Sequence, residues 1–234
     1  MRLFFGTTNP GKLRELRRLV AGLDVEIVAA GDLGRPLPEV PEDGLTFEEN
    51  AAHKASTYAR LTGLHALADD SGLCVDALGG APGVHSARWS ELDPGPEPTS
   101  PVCELAEAGR AELGPVAGRA ERDERNNDKL LASLAGLPPA RRGGEYRAVV
   151  ALARPDGSVV GSVAGTCRGR IGFERRGTGG FGYDPLFETE AFPGRTMAEL
   201  SAEEKDAISH RGAAMRALRP LLDRCLLDEK AAKS

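Results

Sequence analysis

Four short runs in the sequence bring together residues able to do chemistry. The first is Gly6-Thr7-Thr8-Asn9-Pro10-Gly11-Lys12, set between a short apolar run and a helical pattern. A turn that opens a helix offers free backbone N–H groups and the positive end of the helix dipole, which suits a phosphate. Lys12 adds a charge within reach. The spacing matches the G-x-x-x-x-G-K of a P-loop, but a P-loop needs Ser or Thr next to hold magnesium, and here Leu13 follows. A P-loop kinase is therefore disfavoured. Phosphate binding and an ordinary strand–turn–helix corner both stay open.

The second run is Ala68-Asp69-Asp70-Ser71-Gly72. Two adjacent carboxylates at the end of a buried strand need compensation, and successive strand residues point to opposite sides. One would face a cleft and hold a cation or activate water, while the other would cap the following turn. Magnesium takes one or two carboxylates plus phosphate oxygens and waters, which fits so sparse a supply. A strand-end turn with two solvated acids is the plain alternative. Glu39, Glu42 and Asp43 lie upstream; they could supply a second carboxylate to a metal or form a solvated acidic loop.

The third run is Gly177-Thr178-Gly179-Gly180-Phe181-Gly182-Tyr183-Asp184-Pro185. Its glycines allow backbone to approach a ligand closely. Phe181 and Tyr183 offer flat faces for a base to stack on, and Asp184 can accept hydrogen bonds from a purine or orient a neighbour. Aromatic residues in a glycine-rich loop favour this reading over a bare hairpin tip. In the fourth run, Lys205 to Gly212, Lys205 and Arg211 could neutralise phosphates, and His210 with Arg211 could donate to carbonyl oxygens. A solvated helix face with one incidental histidine is the alternative there.

The surrounding elements must position these runs. Arg2 to Gly6 reads as a buried strand, and Asn9 can cap a helix begun by Pro10 that carries Leu13, Leu16, Leu19 and Val20 at helical spacing. Asp24 to Ala30 reads as a second strand. Thr46 to Glu49 forms a capping box for a helix running to about Thr62. Leu64 to Ala68 reads as a strand ending in the paired aspartates. Tyr146 to Ala153 and Ser158 to Thr166 read as a hairpin around Pro155-Asp156-Gly157. Ser201 to Glu204 is another capping box, opening a helix with Ile208, Met215 and Leu218 on one side, followed by Pro220 and an apolar end. Alternating strands and helices argue an α/β fold with a mixed sheet. Residues 91–125 stand apart as a surface insertion rich in proline, alanine and charge, helical from Val102 to Leu113 and otherwise mobile.

Composition bounds the rest. The chain has 234 residues, 41% of them apolar, enough for one large α/β domain. Its formal net charge is -5, which disfavours a nucleic-acid partner. Cys74, Cys103, Cys167 and Cys225 have no metal-binding spacing and read as reduced thiols. The first apolar run is too short for a signal core and no later stretch could span a bilayer, so the expectation is a soluble cytoplasmic protein with no membrane contact.

In order along the chain, Thr7 to Lys12, Glu42 to Asn50, Ala68 to Arg88, Gly177 to Asp184 and Thr196 to Gly212 resemble the inosine/xanthosine triphosphate pyrophosphatase (Ham1-like) family. The resemblance implies a single domain over 1–234, elongated and two-lobed. A long mixed sheet would be flanked by helices, with the substrate cleft between the lobes. It implies a homodimer that hydrolyses ITP, dITP, XTP and dXTP to the monophosphate and pyrophosphate, with Mg2+ as cofactor. By resemblance, Thr7, Thr8, Asn9, Pro10, Gly11 and Lys12 hold the triphosphate. Asp70 is the catalytic acid and a magnesium ligand, joined on the metal by Glu42, and Ser71 touches substrate. Phe181, Gly182, Tyr183 and Asp184 frame the base, while Lys205, His210 and Arg211 complete base and phosphate recognition. Two departures stand out. Thr8 replaces the glycine usual in this turn, and the stretch between Trp89 and Asn126 is longer than the family pattern. A nucleotide kinase or general NTPase would instead release orthophosphate, and a nucleotide-binding regulatory module would bind without turnover.

Overall fold

The computed structural model describes residues 1–7, 10–92 and 118–232. Thr8, Asn9 and the helix expected over Val102–Leu113 lie outside the described residues. Six strands form one mixed sheet in the order β2-β1-β3-β4-β5-β6. They are β1 (Arg2–Phe5), β2 (Glu26–Val28), β3 (His65–Val75), β4 (Gly143–Ala153), β5 (Val159–Ile171) and β6 (Phe187–Thr189). β1 runs parallel to β2 and β3, and the remaining pairings are antiparallel. The helices are α1 (Pro10–Leu19), α2 (Phe47–Thr62), α3 (Arg119–Ser133), α4 (Ala202–Ile208) and α5 (His210–Ala232).

Three apolar clusters show how the layers form. On one sheet face Leu16 of α1, Val20 just after it, and Ala214, Leu218 and Leu222 of α5 pack against Leu3, Leu67, Val150 and Leu152. On the other face Phe47, Ala51, Ala55 and Tyr58 of α2 cover Phe4, Ala66, Ala68 and Val149. A third cluster joins Leu130 of α3 and Leu134 at its C-cap to Tyr146, Ile171 and Phe187 at the far end of the long strands. β3, β4 and β5 therefore run through both lobes, and the paired aspartates lie midway along β3.

Three expectations need correction. β3 does not end at Ala68 but continues through Asp69-Asp70-Ser71-Gly72 to Val75. Ten consecutive pairings with β4, from Ala66↔Ala153 to Val75↔Gly144, carry these poor strand formers. Gly72 also has no room for a side chain, since a Cβ there would lie 2.3 Å from the Gly83 carbonyl oxygen. Next, the helix expected from Ser201 is two helices. Ser209 ends α4 in an extended conformation and its Oγ accepts from Gly212 N at 3.0 Å, capping α5. Finally, α5 continues through Pro220. That proline is exposed, while Leu218, Leu222 and Cys225 stay buried on either side, so burial outweighs the missing backbone bond.

Both capping boxes form: Thr46 Oγ1 accepts from Glu49 N at 3.1 Å and Ser201 Oγ accepts from Glu204 N at 3.2 Å. Within the 91–125 stretch, Arg119–Arg125 are helical and open α3.

Candidate active site

Strand alternation separates the two aspartates. Asp69 faces α1 and α5, where Lys12 Nζ lies 2.8 Å and Arg211 Nε 3.2 Å from its Oδ2. Burial would raise this carboxyl, but Lys12, Arg211 and Lys54 overcome it and hold it well below the usual carboxylate range. Lys12 moves the other way from a free lysine: burial first, with Arg211 and Lys54 as nearby like charges, outweighs Asp69 and lowers it. Arg211 Nη2 also donates to Ser71 Oγ at 3.2 Å. Asp69 is thus a fixed anion that draws one cation from each of two helix starts.

Asp70 faces α2. Its Oδ2 accepts from Asn50 Nδ2 at 2.9 Å and its Oδ1 from its neighbour Ser71 N at 2.9 Å. Burial pushes its carboxyl above the ordinary value; Glu42 adds to this, while Lys54 and Asn50 oppose it. Asn50 and Lys54 stand four residues apart on α2 and share its buried face. Lys54 Nζ donates to Glu42 Oε1 at 2.7 Å and to the Asp69 carbonyl at 2.6 Å. Burial acts to lower Lys54, yet Asp69, Glu42 and Asp70 together raise it. Arg88 Nη2 anchors the Glu42 carbonyl at 3.0 Å.

No group of three or more His, Cys, Asp or Glu side chains is clustered to hold a metal among the described residues. A magnesium ion that keeps phosphate oxygens and waters needs fewer. Asp70, raised by burial first and then by Glu42, and Glu42, which shares the Lys54 ammonium with this corner, form a donor set that a dication would suit. Asp70 and Glu42 therefore fit such an ion.

The glycine-rich run lies across the cleft. Phe181 is half-buried, with Lys205 Nζ 5.1 Å and the Arg211 and Arg119 guanidinium carbons 5.6 and 5.5 Å from its ring centroid. Asp184 accepts from Phe181 N at 2.9 Å and from Lys205 Nζ at 2.5 Å. Gly180 must be glycine: its φ is +80°, and a Cβ would sit 2.1 Å from Asp184 Oδ2. His210 stacks on Tyr146, ring centroids 4.8 Å apart. Burial, with Arg211 and Lys205 beside it, lowers this imidazole well below its ordinary value, and its Nδ1 has no hydrogen-bond partner among the described residues.

The structure thus gathers Lys12, Glu42, Asp70, Ser71, Phe181, Asp184, Lys205, His210 and Arg211. Thr7 and Gly11 flank the turn at the start of α1, and Pro10 opens that helix. Tyr183 differs from expectation. It is buried in the third apolar cluster and its hydroxyl donates to the Ser86 carbonyl at 3.0 Å, so its ring supports the loop and offers no stacking face. His210 and Arg211 are buried, not part of a solvated helix face. Asn50, Lys54, Arg88 and Arg119 were not among the expected site residues, and Asp69 was expected only as one of an undivided carboxylate pair. Asn50 and Lys54 carried a signal: both fall on the apolar side of α2, where polar groups need a partner.

A cationic helix start, an oppositely placed carboxylate pair and a ring in a cationic collar define an α/β protein built around a phosphorylated, ring-bearing ligand. The Ham1 family model matches residues 3–221, and the chain belongs to that family. It is 72% identical over 224 residues to the dITP/XTP pyrophosphatase of Anaeromyxobacter sp. (strain Fw109-5), covering 96% of this chain and 97% of that protein. The Geobacter sulfurreducens dITP/XTP pyrophosphatase is 44% identical over 93% of this chain and 94% of its own. Among solved structures, a HAM1 protein from Coxiella burnetii superposes with a TM-score of 0.74 at 33% identity, covering 96% and 99% of the two chains. The dITP/XTP pyrophosphatase of Mycobacterium abscessus gives 0.66 at 40% identity over 94% and 100%.

Proposed function

We propose that this protein hydrolyses non-canonical purine nucleoside triphosphates, ITP, dITP, XTP and dXTP, to the monophosphate and pyrophosphate, and so cleanses the nucleotide pool. The observation that carries this is the split environment of Asp69 and Asp70. One carboxylate is locked into cations that can face a triphosphate. The other is buried beside Glu42, where its affinity for a proton is raised. The close similarity to dITP/XTP pyrophosphatases supports the same reading.

In this mechanism the turn at the start of α1 and Lys12 hold the triphosphate. Asp70 orients a water and takes its proton as the water oxygen bonds to the α-phosphorus. The bridge from the α-phosphorus to the β-phosphate oxygen breaks, and pyrophosphate leaves towards Lys12. Magnesium, held by Asp70 and Glu42, would neutralise charge on the phosphates. Phe181 receives the base. The N–H groups of Phe181 and Gly182 are already engaged by Asp184 and Asp123. Reading of the 6-oxo group therefore falls to His210 and Arg211. Adenine presents an amine there, which meets donors and is rejected.

The family resemblance supports a homodimer acting in the cytoplasm, and the net charge of -5 argues against a nucleic-acid partner. Among the described residues no helix is long and apolar enough to cross a membrane.

Asp70→Asn tests the assignment of the acid. Removing a base in transfer to water lowers turnover by about 10²-fold or more. The fold should stay intact, because the charge lost is one that burial disfavours. Full turnover of ITP by this variant, with an unchanged melting temperature, would sink the assignment.

A further inference from the structure

Helix α3 meets the glycine-rich loop along a single stripe. Arg119, Asp123 and Asn127 follow one another at intervals of four, which places them on one helix face. Arg119 stands by the Phe181 ring. Asp123 Oδ2 accepts from Gly182 N at 2.9 Å, and Asn127 Nδ2 donates to the Gly182 carbonyl at 2.9 Å. Two side chains one turn apart therefore grip both polar groups of one residue of the loop.

Gly182 has φ +64°, and glycine there moves between conformations at little cost. The Gly182 N–H belongs to the peptide that joins it to Phe181, whose own N–H is held by Asp184, so fixing Gly182 holds the second side of the Phe181 backbone. The Asn127 amide adds a second sign. Its nitrogen serves both the Gly182 and the Asp123 carbonyls, while its Oδ1 is buried without a partner among the described residues. An unpaired buried acceptor is destabilising, so an apolar side chain would fill this space at less cost. The amide is explained by the bonds its nitrogen makes.

We infer that Asp123 and Asn127 are positioning residues for purine recognition: they fix the Gly182 peptide, and through it the Phe181 ring, in the orientation that receives the base. This rests on the reading that Phe181 stacks on a purine. It gives α3 a part in base affinity without contact with substrate.

The test uses the full chain with Asp123→Ala, Asp123→Asn and Asn127→Ala. For each, kcat and KM for ITP, inhibition constants for IMP and for pyrophosphate, and the melting temperature are measured. Asp123→Ala should raise KM for ITP and the inhibition constant of IMP together by about tenfold, the scale of one or two hydrogen bonds. Turnover should stay near wild type and pyrophosphate inhibition unchanged, since the phosphate side is untouched. Asp123→Asn should recover most of the affinity, because its amide oxygen can still accept from Gly182 N–H. Asn127 is buried, so its variant tests folding as well as binding; the half-buried Asp123 keeps the inference testable. Unchanged KM and IMP inhibition in Asp123→Ala would overturn it, as would an equal weakening of IMP and pyrophosphate, which is the mark of general loosening. If wild type neither hydrolyses ITP nor binds IMP, the proposed function fails first and this inference falls with it.

Discussion

At the scale of single residues, charge and burial divide the work between neighbours. Asp69 and Asp70 are 2% and 5% exposed and adjacent, yet their carboxyls shift in opposite directions. Strand alternation is the cause: one aspartate meets two cations directly, the other meets an amide, a backbone N–H and a second carboxylate. His210 shows the same logic in a base. Its lowered folded value means that above pH 6.5, the ordinary value, the imidazole is neutral whether folded or unfolded. Below pH 6.5 the unfolded chain takes up a proton that the folded chain refuses, so stability falls as pH falls. Melting temperature should therefore decline from pH 6.5 towards pH 5, and less steeply in His210→Gln. Equal slopes in the two proteins would show that this imidazole titrates freely. Residue types alone pointed to Lys12, the Asp69-Asp70 pair and Phe181, because a cation after a turn, strand carboxylates and an aromatic in a glycine loop each advertise a chemistry; the choice of Asp70 and the role of Arg211 came from the family resemblance. The same reasoning missed Asn50 and Lys54. Their role depends on which strand their helix covers, and helical spacing alone does not say which.

At the scale of elements, helix starts and close approaches aim the site. α1 and α5 both begin beside Asp69, and Ser209 is what begins α5 there. The sequence read as one helix from Ser201 because capping residues at Ser201 and an apolar stripe through Met215 and Leu218 agreed with an unbroken pattern. A serine three residues before Gly212 could have signalled the second start. β3 was read short because Asp-Asp-Ser-Gly is poor strand sequence, and only pairing with β4 overrides it. The capped start of α2 and the turn at Pro155-Asp156-Gly157 were legible because their signals are local: a side-chain oxygen three residues from an N–H, and a glycine at positive φ. Gly165 on β5 is the packing counterpart. A Cβ there would lie 2.2 Å from the His210 carbonyl oxygen and 2.4 Å from Ala214 N, both backbone atoms of α5. Gly165→Ala should push the start of α5 off the sheet, lowering stability by about 1–3 kcal/mol. It should also raise KM for ITP, since His210 and Arg211 move with the helix. Denaturant unfolding and steady-state kinetics would read both effects. A stable variant with unchanged KM would mean that α5 adjusts without disturbing the base site.

At the scale of the molecule, three long strands join two lobes, and the chemistry sits where the lobes meet. Asp69 and Asp70 lie in the middle of β3, Lys12 comes from one lobe, and the Phe181 loop with α3 comes from the other. A ligand with phosphates at one end and a ring at the other matches that division. The mixed sheet was legible from the alternation of strands and helices. The third apolar cluster was not, because it is built from α3, the ends of β4 and β5 and Phe187 of β6, residues distant in sequence whose pairing has no local signature. The central claim is the bond that is cut and the base that is accepted. It is tested most directly by analysing products after incubation with ITP and, separately, ATP, each with and without magnesium. IMP and pyrophosphate are expected from ITP with magnesium, with no comparable turnover of ATP. IDP with orthophosphate, equal consumption of ATP, or full turnover of ITP under a chelator would contradict it.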